Sequence, residues 1–151
     1  MALINRSTSS VNGAMKATAR QREGYTHDVV VGRHKITADE PESQGGQDLG
    51  PSPQELLSAA LASCTAVTME MYAKRKGWNI EGLEVEARYS PAERGCPTRF
   101  ELVMRMPEHL SEEQVERLQV IAAKCPVHRT LEGEVAFDER IERVSAPARA
   151  A

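Results

Sequence analysis

The chain is predicted to be an α+β domain, and two observations carry that prediction. Short segments of alternating apolar and polar residues stand towards both ends, and one long, strongly apolar segment of helical character stands between them. The resulting order, strands, helix, strands, helix and strand, differs from the strict strand–helix alternation of a doubly wound parallel sheet. At 151 residues the chain has the length of one domain with its own core.

Residues 1–13 are rich in Ser and Asn and are expected to be flexible. From there a single domain is expected over 14–144, with a loose tail over 145–151. Met15, Ala17 and Ala19 alternate with Lys16, Thr18, Arg20 and Arg22, the pattern of a half-buried strand. Glu23-Gly24 supplies a turn, and HDVVVGRHKITAD gives one or two further strands. A loop dense in Gly and Pro, EPESQGGQDLGPSP, leads to the long helix. Pro53 suits its first turn, with Ser52 as N-cap and Glu55 three residues later, a capping box. The helix is expected to reach about Lys76 and stop at Gly77. Leu56, Leu57, Ala60, Leu61, Cys64, Val67 and Met71 leave it so little polar surface that burial nearly all round is expected. Its small residues would admit the close approach of another helix or another subunit.

Strands return at GLEVEARYS and TRFELVMRM. Ser111 with Gln114 forms a second capping box opening SEEQVERLQVIAAK. Cys125-Pro126 breaks that helix, because a residue before proline avoids the helical region. VHRTLEG gives a short helical turn ending at Gly133, and EVAFDERIERV a closing strand.

Composition narrows the function. With 19 Lys+Arg against 22 Asp+Glu and no basic stripe, a nucleic-acid partner is not expected. No apolar run approaches the ~20 residues of a membrane span, and the start lacks the apolar region of a secretory signal, so a cytoplasmic protein without a membrane partner is expected. Three widely spaced cysteines do not form a secreted disulfide framework, and no CxxC or paired His/Cys spacing marks a metal site.

The thiols are the chemistry-bearing residues. With Pro126 at the first helical position, Cys125 takes the N-cap, where free N–H groups favour a thiolate. His128 and Arg129 follow three and four residues on. Cys64 lies about three turns into its helix and needs a cation from elsewhere. By local cues Cys125 is therefore the better candidate for an acidic thiol. Each cysteine can equally serve as a small buried hydrophobe.

The segment GGQDLGPSPQELLSAALASCTA, around Cys64, resembles the osmotically inducible protein C and organic hydroperoxide resistance (OsmC/Ohr) family, and AAKCPVHRTL resembles that family's second cysteine motif. The strand order agrees with the OsmC-like fold, antiparallel sheets wrapped around a long buried central helix. The resemblance, over roughly residues 14–144, implies a thiol peroxidase acting on organic hydroperoxides without metal or bound cofactor. Cys64 then matches the peroxidatic cysteine, which becomes a sulfenic acid, and Cys125 the resolving cysteine, which reverses the local ranking. Arg22 matches the family's activating arginine, with Arg20 as second choice. Peroxidase members carry a glutamate where this chain has Gln54, with Glu55 one residue later, and the segment looks closer to the OsmC-like branch. His128 is a candidate proton donor or cation. Leu61, Val67 and Met71 are expected to line an apolar substrate pocket. The resemblance further implies an external dithiol reductant and an intertwined homodimer with its sites at the subunit interface. Cys96 matches no motif and reads as incidental. A non-catalytic binding or redox-sensing protein that keeps both thiols is the alternative, favoured by Gln54, and a Cys64/Cys125/His128 metal site is a third reading.

Overall fold

Three five-residue strands come first: β1 (Ala17–Gln21), β2 (His27–Val31) and β3 (His34–Ala38). They form an antiparallel meander in which Ala19 pairs with Val29 and Val29 with Ile36. The computed structural model describes residues 14–145, so the expected flexible start and the tail after residue 145 lie outside the described residues. Contacts divide the chain into two compact units. One holds the residues up to Ala60 with Ala87–Leu102, the other Leu61–Glu86 with the residues from Val103 on. The first strand starts later than the alternation suggests, and Met15 is 98% exposed.

The register of β2 on β3 fixes the most constrained point of the first unit. His27 faces Ala38, so the next residues outward, Thr26 and Asp39, meet at the sheet's end, both buried. The Thr26 hydroxyl donates to Asp39 Oδ2 at 3.1 Å. Asp39 also accepts backbone N–H bonds from Glu40 (2.8 Å), Gln47 (3.2 Å) and Leu49 (3.3 Å). Burial alone would raise its pKa, but the N–H groups of Leu49, Glu40 and Gln47 and the Thr26 hydroxyl outweigh it and hold the carboxyl below its usual range. The loop so gathered runs against its own strand. A Cβ at Gly46 would collide with the Glu40 carbonyl, and one at Gly50 with that of Thr37.

Helix α1 (Pro53–Lys76) begins with the expected capping box. The Ser52 N–H donates to Glu55 Oε2 at 2.7 Å and the Glu55 N–H to Ser52 Oγ at 3.3 Å. Gly77, at φ 68°, ends it by adopting the left-handed conformation. Burial all round is corrected. The chain buries one stripe, Leu61, Thr65, Met69, Tyr72 and Ala73, at the spacing of one helix face, and leaves Val67 and Met71 half-exposed or more. The expectation that no segment could span a membrane is also corrected. By length and composition α1 passes that test, as the core helix of a soluble protein can.

In the second unit the buried stripe meets α2 (Glu112–Ala122). Met69, Tyr72 and Ala73 pack with Leu118, Ile121 and Ala122, flanked by Trp78, Val85, Met104 and Met106. Each Leu, Ile or Met among them withdrawn from water contributes about 1.5–3 kcal/mol, and the alanines less. Ser111 and Gln114 cap α2 reciprocally. Strands β4 (Glu84–Ser90) and β5 (Arg99–Arg105) pair in a two-stranded sheet. Arg105 bonds Glu84 (2.6 Å) and Glu86 (2.8 Å), and Arg88 bonds Glu101 (3.3 Å), partners that place the two strands antiparallel. Helix α3 (Pro126–Glu132) follows.

The expected closing strand over 134–144 is absent. Those residues are irregular, and Phe137 and Ile141 are 82% and 95% exposed. Among the described residues no strand pairs with this segment, and an extended segment without a ladder leaves its backbone to water.

The Asp39 cluster generates a prediction. Replacing Asp39 with Asn weakens four donor contacts at once, and the melting temperature should fall by roughly 5 °C or more. Because folding lowers this carboxyl's pKa, its contribution is full above about pH 4 and drains away as pH falls through the folded value. Thermal unfolding followed by circular dichroism across the acid range should show this acid limb in the parent and a diminished one in Asp39→Asn.

Candidate functional site

Two helix segments of the second unit bring the motif cysteines together. Cys64 stands on α1, partly exposed, and its carbonyl accepts the Thr68 hydroxyl at 2.7 Å. Cys125 follows α2, where its N–H still donates to Ala122 O at 3.1 Å. Pro126 then forbids continuation, Cys125 becomes the N-cap of α3, and its carbonyl accepts the Arg129 N–H at 3.0 Å. The turn leaves Cys125 buried, with its sulfur hydrogen-bonded to Cys64. Both thiols are free.

The two sulfurs differ sharply in surroundings. Burial alone would push the Cys125 thiol up, but the Cys64 S–H, the His128 N–H, the Thr65 hydroxyl and the Val127 N–H outweigh it and hold Cys125 below the usual thiol range. Burial pushes Cys64 up, and donating its proton to Cys125 pushes it further, while the Val127 N–H and the Thr68 hydroxyl act in the opposite sense. The two thiols are therefore shifted in opposite directions, Cys125 down and Cys64 up. The local ranking of the thiols, which the family resemblance reverses, is the ranking that this geometry favours for acidity.

The other expected residues are placed as follows. His128 reaches Cys125 through its backbone N–H, whereas its imidazole Nε2 lies 3.0 Å from Glu132 Oε1. Leu61 is buried in the α1 stripe, and Val67 and Met71 lie open, so the three do not surround one cavity within the chain. Arg22, Arg20, Gln54 and Glu55 belong to the first unit. There Arg22 follows β1, half-exposed, 3.7 Å from Asp28, which also binds Lys35 at 2.9 Å. Arg20 pairs in register with Asp28 on β2. Gln54 lines an open cavity with Tyr25, Glu40, Gln44, Ser52 and Tyr89, and Glu55 is engaged in the capping box. Hydrogen bonds with the Ser52 backbone and side chain hold the Glu55 carboxyl below its usual range. Cys96 is exposed in a turn closed by two backbone bonds with Glu93. Among the described residues no three His, Cys, Asp or Glu side chains gather as a metal site would require.

Thr65 is the residue that sequence reasoning missed. It is fully buried, its hydroxyl has no hydrogen-bond partner, and it helps to lower the pKa of the Cys125 thiol. The available signal was a hydroxyl directly after a cysteine in an otherwise apolar helix. Asp39, likewise unforeseen, organises the loop that leads to α1.

A family model described as OsmC-like protein matches residues 45–140. Solved structures share the fold. The OsmC like protein from Mycoplasma pneumoniae superposes with a TM-score of 0.69 at 22% identity, over 81% of this chain and 89% of that one. An organic hydroperoxide resistance protein OsmC from Legionella pneumophila gives 0.61 at 20% identity, over 81% and 91%. The organic hydroperoxide resistance protein OhrB of Bacillus subtilis gives 0.56 at 22%, over 80% and 92%. Identities this low establish likeness of fold. No curated protein matches the chain.

Hydrogen-bonded sulfurs need only a small approach to bond covalently. One equivalent of organic hydroperoxide should therefore convert the reduced protein to a Cys64–Cys125 disulfide within one chain, with Cys96 still free. Peptide mapping under non-reducing conditions checks this, and a bridge to Cys96 would contradict it.

Proposed function

The chain belongs to the OsmC-like protein family, and we propose that it is a thiol-dependent peroxidase that reduces organic hydroperoxides to alcohols. The observation that carries this reading is the Cys64–Cys125 contact: a partly exposed thiol beside a buried one, both free. Such a pair can run the complete thiol cycle. Cys64 attacks the peroxide oxygen and becomes a sulfenic acid, and Cys125 displaces hydroxide from it to close the disulfide. An external dithiol reopens the bond by exchange. Two structurally similar proteins are named for organic hydroperoxide resistance, which agrees with this chemistry.

Arg22 is the proposed cation of the reaction. Its guanidinium offers several donors in one plane, suited to a peroxide oxygen and to the negative charge that develops on attack. Arg20, one strand position earlier, is the second choice. Gln54 stands where the peroxidase members carry a glutamate, so support for the arginine is weaker here. Leu61, Val67 and Met71 form no cavity within the chain, and their proposed preference for organic over inorganic peroxides depends on a second copy that would complete one. An intertwined homodimer is part of the same proposal, since a second copy would cover the half-exposed apolar face of α1. The protein is proposed to act in the cytoplasm, with no metal and no bound cofactor.

The second reading, a non-catalytic OsmC-like binding or redox-sensing protein, is favoured by the raised pKa of the Cys64 thiol and by Gln54. A steady-state assay with cumene hydroperoxide and a dithiol separates the two. Weak but measurable turnover is expected. A disulfide that forms once without turnover would favour the sensor.

Four substitutions probe the cation and its support. Arg22→Ala should slow single-turnover oxidation of Cys64 on the order of 100-fold, the scale of losing one charge-stabilising donor, and Arg20→Ala should act much less. Gln54→Glu should raise kcat/KM severalfold by orienting the guanidinium, whereas Glu55→Gln should affect mainly stability through its cap. Stopped-flow rates and thermal melts of the four variants check both expectations.

A further inference from the structure

The last turns of α1 carry a second constellation, which the thiol chemistry does not use. Tyr72 lies two turns beyond Cys64, about 12 Å along the helix axis. At Gly77 the chain turns with φ 68°, and the Trp78 N–H donates back to the Ala73 carbonyl at 2.9 Å. That return sets the Trp78 ring edge-on to Tyr72, with centroids 5.7 Å apart and planes at 73°. Opposite them α2 presents Glu113, Glu116, Arg117 and Val120, the i, i+3, i+4, i+7 spacing of one helix face. With Tyr72, Lys76 and Trp78 they line a cleft of about 490 Å³, wholly within the second unit.

Three cations converge on the Tyr72 ring. Arg117 Nε donates to the Tyr72 hydroxyl at 2.9 Å, and its guanidinium stands 5.6 Å from the ring centroid. Lys76 Nζ stands at 5.8 Å and the Arg75 guanidinium at 6.0 Å. Among the described residues none of the three is held by an ion pair, although Glu113 and Glu116 share the cleft. The bond to Tyr72 occupies one of the five donors of Arg117 and fixes the plane of the others. A planar fork and an ammonium beside an aromatic wall is what a carboxylate attached to a flat ring requires. The charges set the number of such groups. Lys76 and Arg117 balance Glu113 and Glu116, and Arg75 tips the sum by one positive charge, so one negative charge is welcome and a second is repelled.

We propose that this cleft binds a small aromatic monoanion, its carboxylate held by Arg117 and Lys76 and its ring against Trp78 and Val120. Tyr72 is the positioning residue: its hydroxyl holds the Arg117 fork in one orientation, so that less freedom is lost when the ligand arrives. The site is separate from the thiol pair and does not depend on the peroxidase reading, and its test uses no peroxide.

Trp78 is the single tryptophan of the chain, so its fluorescence reads this cleft directly. Reduced full-length protein is titrated with benzoate at low ionic strength, where exposed charges are least screened. The emission should change and saturate with a Kd on the order of 1 mM, the range open to a ligand of about nine non-hydrogen atoms. Benzyl alcohol, which lacks the charge, and isophthalate, which has two, should each bind at least about fivefold more weakly. Arg117→Gln should weaken benzoate about tenfold with its circular dichroism unchanged. Tyr72→Phe keeps the ring and loses the bond to Arg117; it should weaken benzoate about threefold and leave benzyl alcohol as it was, a selectivity that a merely structural role would not give. Joint Glu113→Gln and Glu116→Gln replacement should bring isophthalate to within about twofold of benzoate, a gain that a damaged fold cannot produce. An emission that does not change, or that falls linearly and equally in Arg117→Gln, would overturn the site. Equal binding of benzoate and benzyl alcohol would overturn its preference for an anion.

Discussion

The hydrogen bond from the Cys64 S–H to the Cys125 sulfur is the contact on which the chemistry of this chain turns, and a backbone prohibition makes it possible. Proline has no N–H and bars the residue before it from the helical region. At Cys125-Pro126 the chain must therefore leave α2 and restart as α3, which places the Cys125 sulfur beside α1 rather than further along the axis of α2. Had α2 continued, the N–H groups of Val127 and His128 would be spent on carbonyls of that helix. The break releases them, and both turn to sulfur. Substituting the proline would thus alter an ionisation before it altered a contact area.

Helix α1 serves two purposes that ask for different residues. Its buried stripe needs volume, supplied by Leu61, Met69 and Tyr72 against α2. Its reactive segment needs a small thiol and a hydroxyl side by side, Cys64 and Thr65, with Thr68 bonding back to the Cys64 carbonyl. A β-branched Thr is not an ideal helix interior residue. Thr65 in the centre of the buried stripe nevertheless helps to lower the pKa of the Cys125 thiol. Tyr72 repeats the theme further along. Arg117 Nε donates to its hydroxyl at 2.9 Å, and the Arg75, Lys76 and Arg117 cations surround its ring. That bond with Arg117, ahead of the opposing effect of burial, draws the phenol below its usual pKa.

Much of the fold was legible because it is written in local rules. Ser52 with Glu55, Ser111 with Gln114, Gly77 and Pro126 each act within a few residues, and α1 starts and stops where they say. What was not legible depends on contacts between distant parts. Nothing in the α1 sequence says which apolar face the chain itself covers, so Val67 and Met71 could not be told from Leu61. The alternation at Val135, Phe137 and Ile141 reads as a strand, but a strand exists only where it pairs with another. The two cysteines were visible at once. Their unequal acidity was not, because it depends on Thr65 and on N–H groups that only the folded chain aims at sulfur.

The Asp39 carboxylate has a dynamic consequence. Three loop amides, those of Glu40, Gln47 and Leu49, end on the same side chain, together with the Thr26 hydroxyl at the start of β2. None of these bonds can be lost singly at low cost, since each departure leaves the charge less solvated while the others still hold it in place. The segment before α1, for all its Gly and Pro, is thus built to open as one cooperative unit rather than to fray residue by residue. Slow amide exchange with a shared opening rate would be its signature. Flexibility inferred from composition and flexibility permitted by hydrogen bonding part company at this loop.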